Sequence, residues 1–256
     1  MDAREHGFVD VEISVKGLGT ITFGHPMSNS LPGKVLRKLA EAITDLGNND
    51  DVRVILLKSE GDRAFCAGAS FDELISIEDF QNGHEFFSGF AGVINACRKC
   101  PKFIIGRVQG KAVGGGVGIA SSVDYCFATS RAEVKLSELA VGIGPFVVGP
   151  AVERKIGLAA MSELAINATE WRSAAWAKEK GLYTDIYDDS DSMDLEINRL
   201  ITQLLSSNPE AMSELKKVFW QGTAHWDQLL TDRAAISGRL VLSQFTRNAI
   251  SAFKAK

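Results

Sequence analysis

The 256-residue chain predicts an α/β fold of strand–strand–helix units followed by a helical C-terminal region. Three observations predict it. Alternating apolar residues near the N-terminus have the period of half-buried strands. Dense β-branched runs, separated by amphipathic stretches, have the pattern of buried parallel strands joined by crossover helices. Beyond residue 190 the pattern becomes almost wholly helical. Right-handed crossovers wind such units into a layered or spiral core. The expected division is a core over 1–190 and a helical region over 191–256.

Element by element, Val9, Val11, Ile13 and Val15 alternate with polar residues, and Ile21 and Phe23 resume the pattern after Gly17 and Gly19, so a hairpin is expected. Leu31, Val35, Leu36, Leu39, Ile43 and Leu46 recur at helical spacing, with Gly47 as the expected stop. The run over 52–57 reads as a buried parallel strand. Phe87, Phe90, Val93, Ile94 and Cys97 mark a second helix, ended by Pro101, and 103–108 is the next buried strand. The acidic stretch 188–194 reads as a solvated link. After it come a helix over 195–205, a helix start at Asn208-Pro209-Glu210, and one long helix over 227–253. The apolar face of that last helix, with Leu229, Leu230, Ile236, Leu240, Leu242 and Phe245, is expected to cover a core, either the chain's own or a neighbouring subunit's.

Bulk properties narrow the function. Hydrophobic content of 45% and charged content of 23% are ordinary for a globular protein. A net charge of −4 argues against nucleic acid, which needs a basic face. Arg107, Lys111 and Asp124 interrupt the longest apolar stretch, so no membrane span is expected. With no signal peptide at the start, a cytoplasmic location is expected. Cys97 and Cys100 form a C-x-x-C, but no second ligand pair stands at zinc spacing; these and Cys66 and Cys126 read as buried thiols, with no metal site.

Three segments carry candidate chemistry. In Ala64-Phe65-Cys66-Ala67-Gly68-Ala69-Ser70, small residues end a strand and lead into a helix, which leaves backbone N–H groups accessible. In Val108-Gln109-Gly110-Lys111-Ala112-Val113-Gly114-Gly115-Gly116-Val117-Gly118, a strand enters a glycine-rich turn and a helix starts in or just after the triple glycine. Helix N-termini expose unpaired donors, so two such turns facing one another make a two-donor oxyanion hole. In Ser137-Glu138-Leu139, Glu138 has Leu136, Leu139, Phe146 and Val147 near it in sequence. Burial there raises its pKa toward neutrality, which suits a general base; taken alone, without the other two segments, Glu138 reads first as a surface or helix-capping glutamate.

Together, FCAGASFDEL, VQGKAVGGGVGIASSVDYCFA and VKLSELAVGIGPF resemble the crotonase (enoyl-CoA hydratase/isomerase) family in order and spacing, over roughly residues 8–190. The resemblance implies a crotonase-like spiral of ββα units and a C-terminal helical oligomerisation region that builds a homotrimer or homohexamer. It implies an enolate held by the N–H groups of Ala69 and Gly115, with Glu138 as the catalytic acid/base. Ala67 and Gly68 would lie along the adenine and pantetheine arm of coenzyme A, Gly114 would line the substrate, and Gly118 would leave room for a bulkier or branched acyl chain. Coenzyme A would arrive with the substrate, with no bound cofactor. His25, Lys111 and Arg63 are candidates for its phosphates, and Phe253 and Lys254 for closing a neighbour's pocket. The resemblance also implies a second catalytic glutamate at position 118, where this chain has Gly118. One carboxylate matches double-bond isomerisation better than hydration, and both stay open.

Other classes remain. Gly116-Val117-Gly118 with Ser121 loosely resembles a dinucleotide fingerprint, with Glu138 about 20 residues on as the ribose acid. A decarboxylase of the same fold needs only the oxyanion hole, and a non-catalytic acyl-CoA-binding protein needs neither carboxylate.

Overall fold

A computed structural model describes residues 3–254; the side chains of Phe253 and Lys254 lie outside the described residues, and with them their expected role. The N-terminal hairpin forms from β1 (Phe8–Ile13) and β2 (Leu18–Gly24), paired antiparallel. α1 (Gly33–Asn48) runs on through Gly47 instead of ending there, because Gly47 is buried and a Cβ on it would lie 3.2 Å from Cys100 Sγ. β3 (Val54–Ser59) lies parallel to β2, and α2 (Phe71–Ser76) and α3 (Phe80–Lys99) follow it. Asp79 caps α3 by accepting from the Asn82 N–H, and Ser70 caps α2 in the same way through Glu73.

β4 (Phe103–Val108) pairs parallel to β3, β5 (Ala112–Val113) leads into α4 (Gly115–Ser122), and β6 (Tyr125–Thr129) returns beside β4. β7 (Val134–Lys135) pairs with β5. α5 (Gly149–Ile166), α6 (Ala174–Glu179) and β8 (Asp185–Tyr187) complete the α/β part. The main sheet has the order β1-β2-β3-β4-β6-β8 and is parallel except for the hairpin. A second, fragmentary ladder runs beside it. Leu31 bridges Ala69, Cys66 bridges Ala112, β5 pairs with β7, and Val134 bridges Arg172. Each turn of the spiral thus adds one strand to the sheet and one short rung to the ladder, and the rungs hold the candidate segments.

From Ser190 onward come α7 (Ser190–Leu205), α8 (Pro209–Phe219), α9 (Trp226–Leu240) and α10 (Gln244–Lys254). The acidic stretch is not a solvated link. Asp189 caps α7 by accepting from the Ser192 N–H, and Asp194, inside the helix, pairs with Arg107 of β4 at 2.6 Å. α7 covers one face of the sheet, with Met193, Ile197 and Ile201 against Val54, Ile105 and Phe127. The helix expected over 227–253 breaks between α9 and α10. Its apolar face is mostly spoken for within the chain, since α9 packs on α3 and Leu230 is fully buried; Phe245 remains exposed.

Asp124 anchors α8. Its Oδ2 accepts from Lys216 Nζ at 2.5 Å and from the Ile104 N–H at 2.8 Å, and its Oδ1 accepts from Trp220 Nε1. Lys216 and Asp124 are both almost wholly buried, so removing either would strand the other's charge. All four cysteines are free and buried, and burial pushes the Cys66, Cys97 and Cys126 thiols up to about 12.

Candidate active site

The two small-residue turns meet because the ladder draws them together. Val113 N–H donates to Cys66 O at 2.9 Å, and Gly114 N–H donates to Lys135 O at 2.8 Å. A Cβ on Gly68 would lie 2.9 Å from Val113 O and 3.7 Å from Gly115 N, which measures how closely the turns adjoin. Between them opens a cavity of about 60 Å³, lined by Ala67, Gly68, Ala69, Gly114, Gly115 and Glu138 together with apolar side chains. Among the described residues neither the Ala69 N–H nor the Gly115 N–H has a hydrogen-bond acceptor. Gly115 opens α4, where the first amides have no helical partner and the helix dipole adds partial positive charge.

Glu138 precedes a 3-10 turn at Leu139–Val141, and its carbonyl accepts from the Ile143 N–H at 3.0 Å. Gly142, at φ 81°, reverses the chain after the turn, and α10 packs against it; a Cβ there would meet Phe245 Cδ1 at 2.5 Å. The Glu138 carboxylate is seated on Gly114. At φ 51° and without a side chain, Gly114 leaves the space that Glu138 Oε1 fills, 2.9 Å from where a Cβ would stand. Glu138 Oε2 is closed off from solvent and has no hydrogen-bond partner among the described residues. Burial pushes this carboxyl up to about 7, against the smaller opposing effect of its own backbone N–H. A base near neutrality beside two unpaired donors can take a proton from a carbon acid while the donors accept the charge that develops on its carbonyl oxygen.

The other sequence candidates lie elsewhere. His25 Nδ1 accepts from the Met27 N–H and pairs with Ser30 Oγ at 3.0 Å, so it is engaged in its own turn. Lys111 pairs with Glu133 at 2.9 Å and sits 4.3 Å from the Trp171 ring centroid, as does Lys135. Arg63 is exposed, and none of the three lines the cavity. Gly118 is not at the cavity wall. A Cβ on it would lie 2.4 Å from Val148 Cγ1, and Val148 itself lines the cavity. The room expected from Gly118 is therefore filled by Val148. Gly118→Ala is expected to destabilise the fold by about 1–3 kcal/mol through overpacking, read as a lowered melting temperature.

One polar cavity residue lies outside the candidate segments read from the sequence, Ser237. Ser237 belongs to the buried stripe of α9 that includes Leu230, Ala234 and Val241. A lone hydroxyl at helical spacing in an apolar stripe was the available signal.

Comparison with known proteins adds to this geometry. The family model described as Enoyl-CoA hydratase/isomerase matches residues 14–251. A methylglutaconyl-CoA hydratase of Rattus norvegicus is 31% identical over 76% of this chain and 62% of its own. A (7aS)-7a-methyl-1,5-dioxo-2,3,5,6,7,7a-hexahydro-1H-indene-carboxyl-CoA hydrolase of Mycobacterium tuberculosis is 32% identical over 49% of this chain and 51% of its own. The chain thus spans less than two thirds of the length of these curated relatives. Among solved structures, an enoyl-CoA hydratase from Bacillus halodurans has a TM-score of 0.87 at 20% identity, over 96% of this chain and 99% of that one. That likeness is one of fold. One from Mycobacterium avium subsp. paratuberculosis has a TM-score of 0.83 at 26% identity, over 96% and 95%.

Proposed function

Because the chain belongs to the enoyl-CoA hydratase/isomerase family, we propose that it shifts the double bond of an enoyl-CoA through a thioester enolate. Glu138 takes a proton from C2 of a 3-enoyl thioester; the C–H pair becomes the C1–C2 double bond of a dienolate, and the carbonyl pair moves onto the thioester oxygen. The Ala69 and Gly115 N–H groups hold that oxygen. The same carboxyl returns the proton at C4, leaving the 2-enoyl isomer. Coenzyme A enters as part of the substrate, with Ala67, Gly68 and Gly114 beside its acyl end.

The observation that carries this reading is a single one: among the described residues Glu138 is the sole ionisable residue lining the cavity, and two backbone donors without acceptors share that cavity. Hydration is the second reading, favoured by the rat relative's name as a hydratase. Glu138 would then activate water alone, because position 118 holds glycine and its space is filled by Val148. The exposed Phe245 beside the Gly142 turn supports assembly into a homotrimer or homohexamer in which a neighbour covers this edge.

Turnover of matched 3-enoyl-CoA and 2-enoyl-CoA panels, followed by mass and absorbance, tests the reading. Conversion of the 3-enoyl to the 2-enoyl isomer without mass change is the expected result. Gain of one water would favour hydration. Absence of turnover on both panels would overturn both and leave decarboxylation or acyl-CoA binding without catalysis.

A further inference from the structure

Ser237 is 1% exposed, yet it lines the cavity. Helical serines commonly return their hydroxyl to the carbonyl four residues back. Ser121 and Ser122 of α4 do so here, at 2.8 and 2.7 Å. The Ser237 carbonyl accepts from the Val241 N–H, but its hydroxyl has no hydrogen-bond partner among the described residues. A buried hydroxyl left unpaired is costly, so this one needs a partner that enters with the ligand or with water. The cavity walls are apolar, with Leu74, Phe87, Phe90 and Val148 among them, and among the described residues no Lys, Arg or His lines it.

Resting on the acyl-CoA reading above, we infer that the acyl chamber selects an uncharged acyl chain bearing a hydroxyl or keto oxygen, which hydrogen-bonds Ser237, and that it rejects chains ending in a carboxylate. A carboxylate would lose its water in an apolar space where the described residues offer no cation and Glu138 already stands. A plain hydrocarbon chain would displace water and leave the Ser237 hydroxyl unpaired. A neutral oxygen avoids both penalties. Ser237 is thus a specificity residue, and its contribution lies in binding.

The test uses saturated acyl-CoA thioesters, which cannot undergo the double-bond shift. Chains of several matched lengths are compared as plain, hydroxylated, keto-bearing and carboxylate-ended forms, with Kd measured by calorimetry. At the best-fitting length, the hydroxylated or keto form is expected to bind about tenfold or more tightly than the plain chain, with the carboxylate weakest. Ser237→Ala is expected to erase the preference for oxygen while plain chains bind as well as before, and Ser237→Thr is expected to keep it. Equal or tighter binding of plain chains by the unaltered protein, tightest binding of the carboxylate, or a preference that survives Ser237→Ala would each overturn the inference. Since no turnover is needed, the expected binding order with a catalytically silent protein would sink the isomerase reading alone. Failure of every thioester to bind would sink both.

Discussion

Glu138→Gln is expected to lower kcat on the best enoyl-CoA by at least about 10²-fold, the usual scale for loss of a positioned general base. The same substitution should stabilise the protein above neutral pH. In the unfolded chain the carboxyl has its ordinary pKa of 4.5, and in the fold burial raises it to about 7. Between these values the folded state holds a proton that the unfolded state has lost, so stability falls as pH rises through this window. The full difference is at most about 3 kcal/mol. A neutral glutamine escapes that cost. The variant should therefore melt higher than the parent at pH 8, and the gap should close as pH falls toward 4.5. A residue that merely holds the fold would give the opposite pattern, with activity and melting temperature falling together.

The second large effect concerns the donors. Side-chain changes at Gly115 confound the question, because a Cβ there would stand 2.0 Å from Phe90 Cε1 and disturb α3. Replacing Ala69 by lactic acid, which turns its amide into an ester, deletes the N–H and keeps the shape. It is expected to reduce kcat by about 10²–10³-fold with little change in thioester affinity, since the donor acts on charge that develops in the transition state. A proportionate rise in KM with unchanged kcat would mean that the Ala69 N–H binds substrate without stabilising the enolate.

Much of the α/β part was legible because its signals are local. The alternation at Val9, Val11 and Ile13 lies in β1, and the run read over 52–57 overlaps β3 from Val54 to Leu57. Asn208 followed by Pro209 announces α8 as a capped start, and the cap accepts from the Glu210 N–H at 2.9 Å. The misreadings share one physical cause, which is that tertiary contacts overrode local character. Gly47 looks like a helix stop but is needed where α1 approaches Cys100. The acidic stretch looks solvated, yet Asp194 meets Arg107, which lies 87 positions earlier. The C-terminal apolar face looks available to a neighbour, but α9 spends most of it on α3.

The site divides in the same way. Ala69, Gly115 and Glu138 belong to segments whose composition is unusual in itself, and the structure brings all of them to one cavity. That Gly114 is the seat of the Glu138 carboxylate, or that Val148 fills the space beside Gly118, depends on residues more than 20 positions apart and has no local signature. Ser237 reaches the cavity from α9, a helix whose sequence gives no hint of which element it covers.

The role proposed for Glu138 is that of a base whose proton affinity is set by burial, and kcat/KM of the best enoyl-CoA measured from pH 5 to 9 reads that affinity. The expected profile has an acid limb in which the rate falls about tenfold per pH unit below a midpoint near 7, and that limb is lost from any residual activity of Glu138→Gln. A profile flat down to pH 5, or an acid limb unchanged in the glutamine variant, would contradict it.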